Sequence, residues 1–248
     1  MSLSAVSLRG LPEVRAGDDL AALLSGAGAP FRGGDVLVVA HKVVSKAEGR
    51  VRDLADVEPG PRARELAARL ERDPRHVQAV LDEAVEVLRE ERALICRTRH
   101  GFVCANAGVD ASNAGARDRV VLLPEDPDAS ARRLRARLGE LAGARPAVII
   151  SDSFGRAWRH GQAEVAIGCA GLRPLDDWRG RPDSGGRELR ATWIAVADEA
   201  AAAADLARAG KDAGEPAVVI RGLERFVTPE DGPGATALLR PSAEDLFV

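Results

Sequence analysis

Asp110 lies between Gly108 and Gly115 in the run Gly101-Phe-Val-Cys-Ala-Asn-Ala-Gly-Val-Asp-Ala-Ser-Asn-Ala-Gly115, with the hydroxyl of Ser112 and the amide of Asn113 close behind it. Those groups are hard oxygen donors of the kind that bind Mg2+ or Mn2+. The same spacing also suits an Asx-turn, in which Asp and Asn bond only their own backbone. A second acidic site, Asp152 with Ser153, follows the apolar run Ala147-Val-Ile-Ile150. A carboxylate at the carboxyl end of a buried strand is placed to hold a metal beside nucleotide phosphates, with a helix N-cap role for Asp152 as the competing reading.

Composition sharpens both sites. The chain has only two asparagines, Asn106 and Asn113, and of its 35 Lys and Arg residues only three are lysine. Two of these, Lys42 and Lys46, stand four apart in His41-Lys-Val-Val-Ser-Lys-Ala-Glu-Gly49, on one face in either a helix or a strand. Lys46, Arg156 and Arg159 are the candidate partners for anions. At a near-surface dielectric, one such charge about 4 Å from a phosphate oxygen contributes roughly 4 kcal/mol of raw Coulomb attraction. Solvated surface lysines are the plainer alternative. His160, in Ser151-Asp-Ser-Phe-Gly-Arg-Ala-Trp-Arg-His-Gly-Gln162, is either a general base or a polar loop residue, while His76 and His100 read as surface residues. Gly49 and Gly155 permit close backbone approach to a ligand, and Trp158, Trp178 and Trp193 read as core or pocket-wall aromatics. Walker A, GxGxxG, GxSxG and HExxH patterns are missing.

The elements that must position these groups follow from periodicity. Asp35 to Val39 is a β-branched run delivering the chain to His41, and Ala147 to Ile150 a strand that hands Ser151 to Ser153 to a loop. Residues 61 to 91 carry helical spacing interrupted at Asp73-Pro74, which predicts two helices. Residues 92 to 105 predict a hairpin turning at Arg99-His-Gly101, Val120 to Leu123 a short apolar run, and Asp128-Ala-Ser130 the start of a helix to about Leu141. Leu189 to Ala197 and Ala217 to Ile220 read as strands, with a helix from Glu199 to Ala209 between them, capped by Gly210. No repeat or low-complexity linker divides the chain, so the expectation is an α+β (mixed α/β) fold in a single unit over residues 1–248, of one lobe or two.

With 46% hydrophobic residues the chain supports a proper core, and a formal net charge of −3 with interleaved arginines argues against a nucleic-acid partner. Apolar runs are far below the ~20 residues of a bilayer span, and no leader pattern opens the chain, so a cytoplasmic protein without membrane partners is expected. Cys96, Cys104 and Cys169 fit no metal or redox spacing and read as buried free thiols.

In these segments the sequence resembles the coenzyme F-420 γ-glutamyl ligases, looking like the N-terminal half of the actinobacterial two-domain enzyme. The resemblance rests on Gly10-Leu-Pro-Glu-Val14, Gly34-Asp-Val-Leu-Val-Val, Lys42-Val-Val-Ser-Lys-Ala-Glu-Gly49, Ala107-Gly-Val-Asp-Ala-Ser-Asn113 and Asp152 to Gln162. It continues through Ala170-Gly-Leu172, Ala197-Asp-Glu-Ala-Ala and Arg221-Gly222. It implies a two-lobed mixed α/β protomer that forms homodimers. The implied activity is GTP-dependent ligation of L-glutamate to coenzyme F420-0, with further γ-linked glutamates, using Mg2+ or Mn2+ and allowing K+. By motif position, Leu11, Pro12, Glu13, Val14, Lys46 and Asn113 look like nucleotide contacts, and Lys211 beside Gly210 a softer one. Asp110, Asp152 and Ser153 look like metal ligands. His41 stands where relatives usually offer Ser or Thr to the nucleotide, and Ser153 often reads Thr. The nitroreductase-like flavin domain of the two-domain enzymes is not expected. Arg156 or Arg159 is the hypothesised receiver of an acidic substrate. Rival readings are a metal-dependent phosphohydrolase, a ligase for a different carboxylate, and a non-catalytic nucleotide-sensing module.

Overall fold

A computed structural model describes residues 2–28, 30–115 and 118–245. In chain order the elements are β1 (Ser4–Leu8), α1 (Leu20–Gly26), β2 (Val36–Ala40), α2 (His41–Ala47), β3 (Val51–Asp53), α3 (Pro61–Leu70), α4 (Pro74–Glu83), β4 (Ala84–Arg89) and β5 (Ile95–Thr98). There follow β6 (Val103–Ala105), β7 (Arg119–Val121), α5 (Pro127–Ala142), β8 (Ala147–Arg156), β9 (Arg159–Ala170), β10 (Asp176–Asp177), β11 (Trp193–Ile194), α6 (Val196–Ala207) and β12 (Ala217–Arg221).

The central sheet has the order β1-β12-β2-β8-β9, with β2 and β8 parallel and the other pairs antiparallel. Its inner strands are apolar on both faces because both faces are covered. Leu37, Val39, Val148, Ile150 and Val219 pack in one cluster with α1 and α5, while Val36, Val38, Ile149, Val218 and Ile220 pack in another with α6. Burying each such side chain contributes roughly 1.5–3 kcal/mol. Gly168 on β9 lets α5 close onto the sheet, since a Cβ there would lie 2.4 Å from the carbonyl oxygen of Pro127. A further cluster gathers Leu54, Leu66, Val77, Val80, Leu94, Cys96 and Val120 from residues between α2 and α5. Its helices start where Pro61 and Pro74 occupy the first turn, and Asp73 caps α4 by accepting from the Arg75 amide.

The mixed α/β reading holds, with four local corrections. Residues 84–89, expected as the end of a helix, form β4, because Ala84, Glu86, Val87 and Arg89 pair with β5. The strand at 147 does not end before Ser151: β8 runs on to Arg156 and pairs with β9 through Arg156↔Arg159, so the expected loop is a hairpin. The extended segment from Leu189 shrinks to β11, and α6 starts at Val196 and stops at Ala207, short of Gly210. The start of α5 is capped by Asp126, which accepts from the Ala129 amide, while buried Asp128 accepts from Cys169 N and Ala235 N.

Candidate active site

The parallel pair β2 and β8 brings Ala40 level with Ser151, so the residues just beyond them, His41 and Lys42 at the start of α2 and Asp152 and Ser153 further along β8, are neighbours. Ligands of open α/β sheets bind at such carboxyl ends. The Asp110 loop arrives by a different route. A two-way backbone bridge, Asp110 N to Val121 O and Val121 N to Asp110 O, ties it to β7, which pairs with β3 directly after α2. The turn before it runs through left-handed Asn106, Ala107 and Gly108 at φ 54°, 50° and 73°. Only glycine fits at 108, where a Cβ would strike Leu123.

His41 and Lys42 then join the two acidic sites. Lys42 Nζ lies 2.6 Å from Asp110 Oδ2 and donates to Ser112 Oγ at 2.7 Å. Buried His41 places Nε2 3.3 Å from Asp152 Oδ1, without the alignment of a hydrogen bond. Burial raises the Asp110 carboxyl, but the Lys42 ammonium and the Ser112 donors outweigh it and hold the group below the ordinary carboxylate range. Asp110 also makes the Asx-turn, accepting from Ser112 N at 2.6 Å. The capping alternative for Asp152 fails because no helix follows; its Oδ1 accepts from Ser153 N within β8.

Two clefts open on either side of Asp152 and Ser153. The first, about 390 Å³, is lined by Leu11, Pro12, Glu13, Val14, His41, Lys42, Lys46, Asn113 and Lys211, together with Asp152 and Ser153. All three lysines of the chain therefore face one cleft. Lys42 and Lys46 share a face of α2, and Lys46 Nζ is held by Glu13 Oε1 at 2.6 Å. Asn113 adopts φ 55°, a conformation asparagine tolerates better than most residues. The second cleft, about 330 Å³, contains Asp110 and Asp152 together, with Arg72, His76, Asn106 and Gln162.

One carboxylate escaped the sequence reading. Glu164 lies across from Ser153 in the β8–β9 register and is 4% exposed. Its Oε1 accepts from Ser153 Oγ at 2.6 Å and from Lys211 Nζ at 3.1 Å, and Arg208 Nη1 lies 3.6 Å from Oε2. Burial raises its carboxyl, yet the hydroxyls of Ser151 and Ser153 and the charges of Arg208 and Lys211 keep it ionised below its ordinary range. The only local signal was a carboxylate inside an otherwise apolar alternation, and it points inward only because β9 pairs with β8.

Other expectations land elsewhere. Arg156 and Arg159 sit at the exposed tip of the β8–β9 hairpin and line neither cleft; Arg156 donates to the carbonyls of His160 and Gly161 in its own turn. His160 is exposed on the same tip. Trp158 is 80% and Trp193 50% exposed, the latter beneath the Arg179 guanidinium, so neither walls a pocket. His76 and His100 are half-buried rather than superficial, and burial pushes both imidazoles below their ordinary range. The cysteines are buried and free, and burial raises Cys104 and Cys169 to about 12.

Among the described residues no group of three His, Cys, Asp or Glu side chains gathers at metal-binding distance. The donor set is two carboxylates and a hydroxyl, and Lys42 now meets one of the carboxylates as a cation would. That set fits a hard divalent ion that takes its remaining oxygens from water and phosphate, as Mg2+ does. No helix among the described residues is long and apolar enough to cross a membrane.

A model of the family F420-0:Gamma-glutamyl ligase matches residues 10–222. The chain is 45% identical over 253 residues to the coenzyme F420:L-glutamate ligase of Methanothermobacter thermautotrophicus, covering 100% of this chain and 99% of that protein. It is 48% identical to the protein of the same name from Methanopyrus kandleri (95% and 93% covered), and 48% identical to that of Archaeoglobus fulgidus (90% and 89% covered). With a family match across most of its length and relatives of this identity aligned nearly end to end, the chain belongs to the F420-0:gamma-glutamyl ligase family.

Proposed function

We propose that this protein adds L-glutamate to coenzyme F420-0 in a GTP-dependent reaction, and then extends the product through γ-linked glutamates. A carboxylate is a poor electrophile, so the γ-phosphoryl group is first transferred to it. The glutamate amine, having shed one proton from its ammonium form, attacks the acyl phosphate. A C–N bond forms, the C–O bond to phosphate breaks with its electron pair leaving on inorganic phosphate, and the second amine proton passes to solvent. Two anions must meet in the first step, which makes positioning and charge neutralisation the main tasks of the protein.

The observation that carries this reading is the meeting of Asp110 and Asp152 in the second cleft, beside the first, which holds every lysine of the chain. Asp110, Asp152 and Ser153 would hold Mg2+ or Mn2+, which when bound neutralises the triphosphate and polarises the transferring group. Lys46 steadies phosphates, Lys42 shifts from Asp110 toward them, and Leu11 to Val14 with Asn113 frame the guanosine. His41, buried behind Asp152, orients that carboxylate in place of the hydroxyl found in relatives. Lys211 ties the loop after α6 to Ser153 and Glu164 across the cleft mouth. The family resemblance supports a homodimer, to be checked by light scattering.

The test is incubation with GTP, Mn2+, L-glutamate and coenzyme F420-0, following GDP release and mass gains of one glutamyl unit. Glutamate-dependent GDP formation is expected. GDP release at full rate without glutamate would indicate a phosphohydrolase, and full ligation by Asp152→Asn would remove the metal assignment.

A further inference from the structure

The clefts share Asp152 and Ser153 and no other lining residue. If the lysine-lined cleft takes the nucleotide, the acyl phosphate forms at that shared rim. The attacking amine must then approach from the other cleft.

That second cleft is lined by charges of both signs. Asp110 and Asp152 line it, and so does Arg72, just after α3. Arg72 differs from the other arginines of the same helical segment. Arg62, Arg64, Arg69 and Arg75 each pair with a glutamate or aspartate, whereas half-buried Arg72 has no carboxylate within ion-pair distance among the described residues. Its Nη1 donates to Asn106 Oδ1 at 3.0 Å, which fixes the guanidinium against the strained turn leading to Asp110. A planar, anchored guanidinium with donors to spare is the side chain best matched to a carboxylate. His76 shares the cleft, and since burial favours its neutral form it adds no competing cation.

Resting on the ligase reading above, we propose that this cleft is the site of the incoming amino acid, and that Arg72 is the residue selecting an anionic one. The substrate carboxylate sits on Arg72 and its amine end points to the rim formed by Asp152 and Ser153. A carboxylate anchored on Arg72 thus leaves the nitrogen of an α-amino acid free to reach the acyl phosphate at the rim that the two clefts share. The polar flank of Asn106 and Gln162 suits such a small, charged molecule. Arg156 and Arg159, at the hairpin tip, leave this role to Arg72.

The experiment is steady-state kinetics on the full chain with GTP, Mn2+ and coenzyme F420-0, varying glutamate and GTP in turn. Arg72→Gln is expected to raise the KM for glutamate at least tenfold while leaving the KM for GTP, and kcat at saturating glutamate, within about twofold. Arg72→Lys is expected to recover part of the loss. Gln162→Glu places a negative charge on the exposed flank of the same cleft and is expected to raise the glutamate KM in the same direction, which decides the matter should Arg72→Gln fail to fold. An unchanged glutamate KM in a folded variant, or an equal rise for GTP, overturns the assignment of this cleft. An inactive wild-type protein instead overturns the ligase reading itself, and this assignment with it.

Discussion

Replacing Asp110 with asparagine keeps the shape of the side chain and its acceptor for the Ser112 amide, but removes the charge 2.6 Å from Lys42 Nζ. A hydrogen bond between charged groups contributes about 1.5–3 kcal/mol. Here Lys42 is 22% and Asp110 39% exposed, so solvent screening brings the loss to about 1 kcal/mol. For a chain of this size that lowers Tm by about 2–4 °C. Because folding lowers the Asp110 pKa, this contribution is fully present above the unfolded value of about 3.9 and is lost as pH falls through the folded value. Wild type and variant therefore differ near neutral pH and converge in acid. Metal should separate them far more. Mn2+ at about a hundredfold over its Kd stabilises a binding-competent protein by about 2.7 kcal/mol, or roughly 5–10 °C. Thermal unfolding followed by fluorescence, in metal-free buffer and then with increasing Mn2+, should show that increment in the wild type and little of it in Asp110→Asn. A variant that keeps the full Mn2+-dependent rise would refute the placement of the cation against this carboxylate.

Two further outcomes follow from the packing. His76 and His100 fold in the neutral form because burial lowers their pKa, so their contribution is present above about 6.5 and is lost as pH falls through the lower folded values. His100→Gln should flatten the fall of Tm as the pH drops below about 6.5, and an unchanged slope would contradict this account. Gly168→Ala should cost about 3 kcal/mol in a denaturant titration, because the added methyl meets the backbone carbonyl of Pro127, which cannot swing aside as a side chain would; a midpoint equal to wild type would show that α5 moves freely.

The sequence by itself determined the inner strands and the helix starts, because their causes are local. Leu37 to Val39 and Val148 to Ile150 are apolar without alternation since both sheet faces are covered, and Asp73-Pro74 begins a helix through its own cap and ring geometry. It also marked Asp110, Asp152 and the scarce lysines, because a composition rich in arginine makes each surviving lysine conspicuous. Tertiary structure alone decided which charges lack partners and which side of a strand faces a cleft. Pairing of β8 with β9 turned an expected loop into a hairpin, carried Arg156 and Arg159 away from the site and aimed Glu164 at Ser153. Arg72 reads like every other arginine of its helical segment until the fold leaves it without a carboxylate among the described residues and lines the Asp110 cleft with it. Periodicity is a property of neighbours in the chain, whereas charge balance in a cleft depends on residues brought together from distant segments.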